Sequence, residues 1–277
     1  VINHSCINGE RFNVLLFTES NMINVLSLGA GKQSSYMLLR ALDGYFDSKP
    51  EYAIFSDVGC EPQYVYDFIN WLKDYVKAKY DFDIIIIKGR DLMQDTEDYY
   101  SGKNRRGASI PAFLSGGGII RRQCTYEYKI APMKRYLQKI RKGERIKFWI
   151  GISLDEIQRI RESGTKYIEN YYPLIDNRVT IDSIVNWFNE SGLPKPGKSA
   201  CLICPFHSNR YWQRFKKEYP DEFEKACKFD DTIRVHPSLV SDLYLHRSLK
   251  PLREVDFSFQ PSLFPELIEE CEGLCGL

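Results

Sequence analysis

An α/β fold with a doubly wound, mainly parallel sheet is what this chain predicts, and three observations predict it. Short continuous apolar runs recur at 23–28, 53–55, 82–87 and, after a longer interval, 148–152, as strands buried on both faces require. Segments of helical periodicity lie between them. A turn rich in glycine and serine, SLGAGKQSS at 27–35, follows the first run, where a strand would hand over to a helix.

In chain order, residues 1–21 precede Met22 and read as a leader to which no function is assigned. Ile23, Val25 and Leu26 begin the first core strand, and SYMLLRAL after the turn begins the first helix. The segment 62–77 places Val65, Phe68, Leu72 and Val76 on one helical face between the second and third strands. Residues 103–118, KNRRGASIPAFLSGGG, read as a long loop rich in glycine and charge. After the fourth run the pattern changes to short helices and loops, with helices expected at 181–189 and 209–228. The expected organisation is a leader (1–21), a nucleotide-binding α/β core (22–152) and a C-terminal extension (153–277) that packs on the sheet's carboxyl edge and carries a cysteine site.

A chain of 277 residues with 43% hydrophobic content can bury a sizeable core, which excludes a disordered chain. Net charge is only +1, so the bulk balance does not suggest a protein that coats polyanions, although a local basic patch is compatible with it. No apolar run is long enough to span a bilayer and no signal peptide is legible, so a soluble, cytoplasmic protein with no membrane partner is expected. In that compartment the eight cysteines suit metal or redox chemistry better than structural disulfides.

The turn at 27–35 is neither of the two familiar phosphate loops. Leu26 stands where a Walker loop needs its first glycine, and Gln33 stands where it needs Ser or Thr; Ser34 replaces the third glycine of the dinucleotide pattern. The physics of anion binding still applies. Glycines between a strand and a helix bare amides at a helix N-terminus, and Ser27, Lys32, Ser34 and Ser35 add hydroxyl donors and a cation. An ordinary Gly-Ser turn is the plain alternative.

SLGAGKQSS resembles the PP-loop of the adenine nucleotide alpha-hydrolase superfamily, with Gly29 in place of its first Ser and Gln33 in place of its Asp. A second stretch, SDVGCEP, is similar to the D-T-G-x-E-x-P pattern of the PAPS reductase-like family, matching at Asp57, Gly59 and Glu61. GISLDEIQRI resembles that family's third block, with Asp155, Glu156 and Arg159. The resemblance implies a HUP-type sheet whose loop residues Gly29, Gly31, Lys32, Gln33, Ser34 and Ser35 hold the phosphates of ATP or PAPS. It also implies that Asp57 and Glu61 orient the nucleoside and that Asp155 and Glu156 place Mg2+ or water. Without the family, Glu61 is a first-turn helix carboxylate, and the Asp155, Glu156 and Arg159 group is a surface ion pair.

RRQCTYEYKIAP and KSACLICPFH carry Cys124 and the Cys201-x-x-Cys204 pair. They resemble the cysteine blocks of iron-sulfur sulfonucleotide reductases, with Gln123 replacing one of the paired cysteines and Lys129 and Pro132 matching downstream. The implied centre is a 4Fe-4S cluster on Cys124, Cys201 and Cys204, with one iron open or closed by His207, Cys271 or Cys275. Soft thiolates suit zinc equally, and free thiols are the third alternative. Cys60 and Cys227 read as small core residues, and His236 and His246 as structural. Glu270-Cys271 loosely matches the mobile catalytic cysteine of PAPS reductases. Arg105, Arg106, Arg121, Arg122 and Lys129 could clamp sulfate, phosphate or an RNA backbone.

The resemblance therefore implies one of two reactions: reduction of a sulfonucleotide with a thiol reductant protein as partner, or ATP-dependent thiolation of tRNA or another nucleic acid. A nucleotide-binding module with structural zinc and no sulfur chemistry is the alternative of a different class, favoured by the missing PP-loop Asp.

Overall fold

The computed structural model describes residues 22–107 and 110–258. The predicted leader, with Cys6, and the tail carrying Cys271 and Cys275 lie outside the described residues.

The chain runs β1 (Met22–Leu28), α1 (Lys32–Leu42), β2 (Tyr52–Asp57), α2 (Gln63–Tyr80), β3 (Ile84–Lys88), α3 (Leu92–Tyr100) and a two-residue strand β4 (Phe113–Leu114). A single π-helical stretch (Thr125–Ile130) leads into α4 (Ala131–Ile140), followed by β5 (Arg145–Trp149), a 3-10 turn (Leu154–Arg159) and β6 (Ile168–Tyr171). The remainder is α5 (Pro173–Asp176), α6 (Ile181–Glu190), α7 (Asn209–Glu218), α8 (Pro220–Ile233), β7 (Leu243–Tyr244) and a last 3-10 turn (Leu252–Glu254).

Five strands form one parallel sheet in the order β3-β2-β1-β5-β6, the doubly wound arrangement expected. Strand alternation divides its apolar residues between two layers. Leu26, Ala53, Phe55 and Trp149 face one way and pack with Met37, Leu38, Phe68, Leu72 and Ile184 of α1, α2 and α6. Val25, Ile54, Ile146 and Phe148 face the other way and pack with Met133 and Leu137 of α4. Both faces are thus covered, which is why the strand sequences read as continuous apolar runs. A third cluster joins α3 to α7 and α8 through Leu92, Tyr128, Trp212, Phe215, Phe223 and Phe229.

Three elements differ from the sequence reading. β5 ends at Trp149, so Ile150, Gly151 and Ile152 leave the ladder at its carboxyl edge. β6, in the segment read as helix and loop, pairs with β5 through Ile146–Ile168 and Phe148–Asn170; its sequence IENY has no apolar run because an edge strand needs none. The helix expected over 209–228 is two helices, interrupted where Pro220 starts α8 and cannot donate to a continuing ladder. The glycine-rich segment at 103–118 contains β4, which pairs with β7.

The last described segment is held by Asp230, fully buried on α8. Its carboxylate accepts from the Leu245 amide at 2.7 Å and the Leu252 amide at 2.9 Å, and pairs with Arg234. Asp230→Asn keeps the shape but replaces an acceptor oxygen by a donor facing those groups. It is expected to cost about 1 to 2 kcal/mol in urea melts. Among the described residues no helix is long and apolar enough to cross a membrane.

Candidate functional site

β1 delivers its chain to a tight loop. Ala30 takes a left-handed conformation (φ 56°), and Gly31 is extended and begins α1 with no side-chain cap. The Ser34 hydroxyl accepts from the Gly29 amide at 3.0 Å, folding the loop back on the first turn of α1. The end of β5 approaches from the other side. A Cβ on Gly151 would stand 2.9 Å from the Ser34 backbone nitrogen and 3.0 Å from its Cα, so only glycine lets the two chains lie this close.

Between the carboxyl ends of β1 and β5, where the strand order reverses, lies a cavity of about 350 Å³. Ser27, Gly29, Gly31, Lys32, Gln33 and Ser34 line one end. Ile130, Met133, Phe148, Ile150 and Ile152 give it an apolar wall, and Lys129, Arg159, Lys198, Arg210 and Arg214 make its rim cationic. An apolar slot joined to a helix N-terminus ringed by cations suits a flat heterocycle carrying phosphates.

The substituted Gln33 has a defined role in this wall. Its amide donates to Ser153 Oγ at 2.9 Å and to Glu156 Oε2 at 2.7 Å, while the other Glu156 oxygen pairs with Arg159. Asp155 goes elsewhere: its carboxylate accepts from the Ile181 amide at 2.6 Å, at the start of α6. Ser35 is fully buried and does not line the cavity.

The second predicted block builds a turn. Asp57 Oδ1 accepts from the Gly59 amide and the Tyr66 hydroxyl, each at 2.9 Å, and Gly59 is left-handed (φ 77°) with Asp91 where a Cβ would point. The turn delivers Glu61, whose side chain is wholly buried, to Lys129 Nζ at 2.9 Å. Cys201 Sγ lies 3.9 Å from the same Glu61 oxygen.

Cys124, Cys201 and Cys204 all border a second, smaller cavity of about 50 Å³. It shares Thr125, Lys129 and Ser199 with the first, so the two chambers adjoin. All three cysteines are free thiols. Burial, and then the neighbouring Cys201, push the Cys124 thiol above its ordinary range. Among the described residues, no three His, Cys, Asp or Glu side chains are grouped closely enough to hold a metal ion. The fit to a thiolate-ligated centre is therefore one of donor chemistry and shared cavity: three soft donors, with Arg122 and Lys129 in the same walls to offset thiolate charge.

His207 turns away from that cavity's walls. Its Nε2 bonds the Cys201 carbonyl oxygen at 2.9 Å, and its ring stacks on Tyr211 at 3.7 Å. It thereby braces the Cys201–Cys204 turn, in which the Cys204 amide donates to the Cys201 carbonyl. Burial and nearby Lys198 lower its pKa to about 3, and burial and Arg247 lower that of His246 to about 4. Both are neutral when folded and protonate near 6.5 when unfolded, so stability falls as pH drops below 6.5 and keeps falling towards about 4. Denaturant melts from about pH 7.5 to about pH 5.5 should lose stability at up to roughly 1.4 kcal/mol per unit per histidine below that threshold.

Sequence reasoning found Cys201, Cys204 and His207 but missed that residues 196–199, with Arg210 and Arg214, line the larger cavity. Gly197 packs under the Tyr64 ring, the Tyr64 hydroxyl donates to the Lys198 carbonyl at 2.7 Å, and the Ser199 hydroxyl donates to the Gly29 carbonyl. The segment's only signal was the run PKPGKSA before Cys201, a Pro-Gly stretch that had to pass over something. Neither Arg121 nor Arg122 is among the residues lining the larger cavity, whereas Arg122 lines the smaller one with Cys124.

No family model matches the chain. It is 27% identical over 213 residues to an uncharacterized protein of Methanocaldococcus jannaschii, an alignment covering 72% of this chain and 45% of that protein. The chain thus spans under half the length of the curated relative it matches. Among solved structures it is similar to the U34-tRNA thiolase NcsA from Methanococcus maripaludis with its 4Fe-4S cluster. That likeness has a TM-score of 0.40 and 15% identity, covers 76% of this chain and 71% of the other, and is too distant to carry function.

Proposed function

We propose that the larger cavity binds an adenine nucleotide and that a thiolate-ligated iron-sulfur centre on Cys124, Cys201 and Cys204 works beside it. The observation that carries this reading is the pair of adjoining chambers, one fit for a nucleotide and one walled by three thiols, with Lys129 in both. The α1 amides, Lys32 and Ser34 hold the phosphates, the apolar wall takes the purine, and Gln33 fixes the Glu156 and Arg159 pair at the phosphate end. Glu156 is held by Gln33 and Arg159 and Asp155 by the start of α6, so neither carboxylate is assigned to Mg2+. Lys129, held by Glu61, keeps a positive charge where the leaving phosphate and the sulfur meet. Such a centre, when bound, supplies sulfide or electrons.

Two reactions fit these residues. In thiolation, ATP adenylates a base oxygen of tRNA or another nucleic acid, pyrophosphate leaves, and sulfide displaces AMP. In reduction, a thiolate such as Cys271 attacks the sulfonate sulfur of PAPS, adenosine bisphosphate leaves, and a thiol reductant protein releases sulfite. Gln33 in place of the PP-loop Asp favours one further reading, a nucleotide-binding module with structural zinc and no sulfur chemistry.

Anaerobic purification followed by a visible spectrum and metal analysis tests the centre: brown protein with iron and sulfide is expected, and colourless zinc-loaded protein would favour the module. Pyrophosphate release from ATP or sulfite release from PAPS then selects the reaction.

A further inference from the structure

Cys60, read from the sequence as a small core residue, sits against Cys201. The Leu202 amide donates to the Cys60 carbonyl at 2.8 Å and Cys201 Sγ lies 3.9 Å from the Glu61 carboxylate, so residues 60–61 run alongside 201–202. Cys201 is the neighbour that does most to raise the Cys60 thiol above its ordinary range, ahead of burial. The Cys60 side chain does not border the chamber that Cys124, Cys201 and Cys204 share. Cys60 is thus placed as a partner of Cys201 rather than as a further cluster ligand.

We propose that Cys60 and Cys201 are a disulfide-forming pair that responds to oxidants of the peroxide class. Cys201 borders the small cavity and meets the oxidant first, whereas Cys60 is only 4% exposed and does not line that cavity. The Cys201 sulfur takes one peroxide oxygen to give a sulfenic acid and releases water. The Cys60 sulfur then attacks that sulfur, forming the S–S bond and releasing a second water, so two thiols and one hydrogen peroxide become one disulfide and two waters. A dithiol reductant reverses the change. The disulfide removes Cys201 from the donor trio and ties the turn that carries Glu61 to the cysteine loop, so oxidation and occupancy of the thiolate centre exclude each other. The pair is independent of whether that centre is iron-sulfur, zinc or neither.

The test uses the full-length protein as purified, and the same protein after chelator treatment. Each is exposed to equimolar hydrogen peroxide, alkylated, and mapped by non-reducing proteolysis and mass spectrometry. The expected result is a peptide pair joining Cys60 to Cys201, lost on reduction, with alkylation of both residues lost together. In Cys60→Ser, Cys201 should instead be trapped as a sulfenic acid by dimedone. Cys201 joined chiefly to Cys204 or Cys124, or Cys60 fully alkylated in both wild-type samples after oxidation, would overturn the proposal. Metal content measured before oxidation reports separately on the centre.

Discussion

Replacing Gly151 by valine is expected to weaken adenine-nucleotide binding about a hundredfold, or roughly 2.7 kcal/mol, and alanine should weaken it about tenfold. A Cβ at this position meets the Ser34 amide nitrogen at 2.9 Å, and backbone cannot rotate out of the way as a side chain can. The loop after β1 must move, and with it the Ser34 hydroxyl bond that shapes Gly29. Gly164→Ala is the control, because nothing lies within 4 Å of the added carbon; its binding should match wild type. Isothermal titration measures the effect, and circular dichroism shows that the sheet persists. Equal affinity in all four proteins would mean that nucleotide does not touch this loop.

Lys129→Met should destabilise the protein by about 3 kcal/mol or more, because it leaves the wholly buried Glu61 carboxylate without its cation. The second Glu61 oxygen has no hydrogen-bond partner, and the first would keep only the Cys201 thiol, 3.9 Å away and uncharged. The double variant Glu61→Gln with Lys129→Met removes both charges and should recover much of the loss, a coupling of about 2 kcal/mol in the double-mutant cycle. Chemical denaturation provides the stabilities. If the losses simply add, the pair is not what holds the turn after β2 against the cysteine loop.

The sheet was readable because strands covered on both faces are apolar throughout, and residues at 23–28 and 53–55 say so directly. β6 was not, since IENY is an edge strand recognised by its partner, Ile146–Trp149, and not by its own composition. The loop between β1 and α1 was legible as a glycine-serine turn between strand and helix. The placing of residues 196–199 against that loop was not, because their contacts with Tyr64 and Gly29 join residues far apart in sequence.

Among the acidic candidates, local hydrogen bonding decided the outcome. Asp57 and Asp155 are drawn to nearby amides, as short carboxylates usually are, while the longer Glu61 and Glu156 reach cations. The shared cavity of Cys124, Cys201 and Cys204 follows the logic of soft-donor spacing. Cys60 escaped that logic because it fills the variable position of SDVGCEP, where a buried cysteine looks like a small apolar residue until its neighbour is known.

The central claim is that the chamber between β1 and β5 holds an adenine nucleotide beside the three thiols. Calorimetric titration of anaerobically purified protein with ATP and with PAPS tests it most directly. Saturable heat at a single site per chain, suppressed by Gly151→Val and unchanged by Gly164→Ala, is the predicted result; no heat with either nucleotide would contradict it.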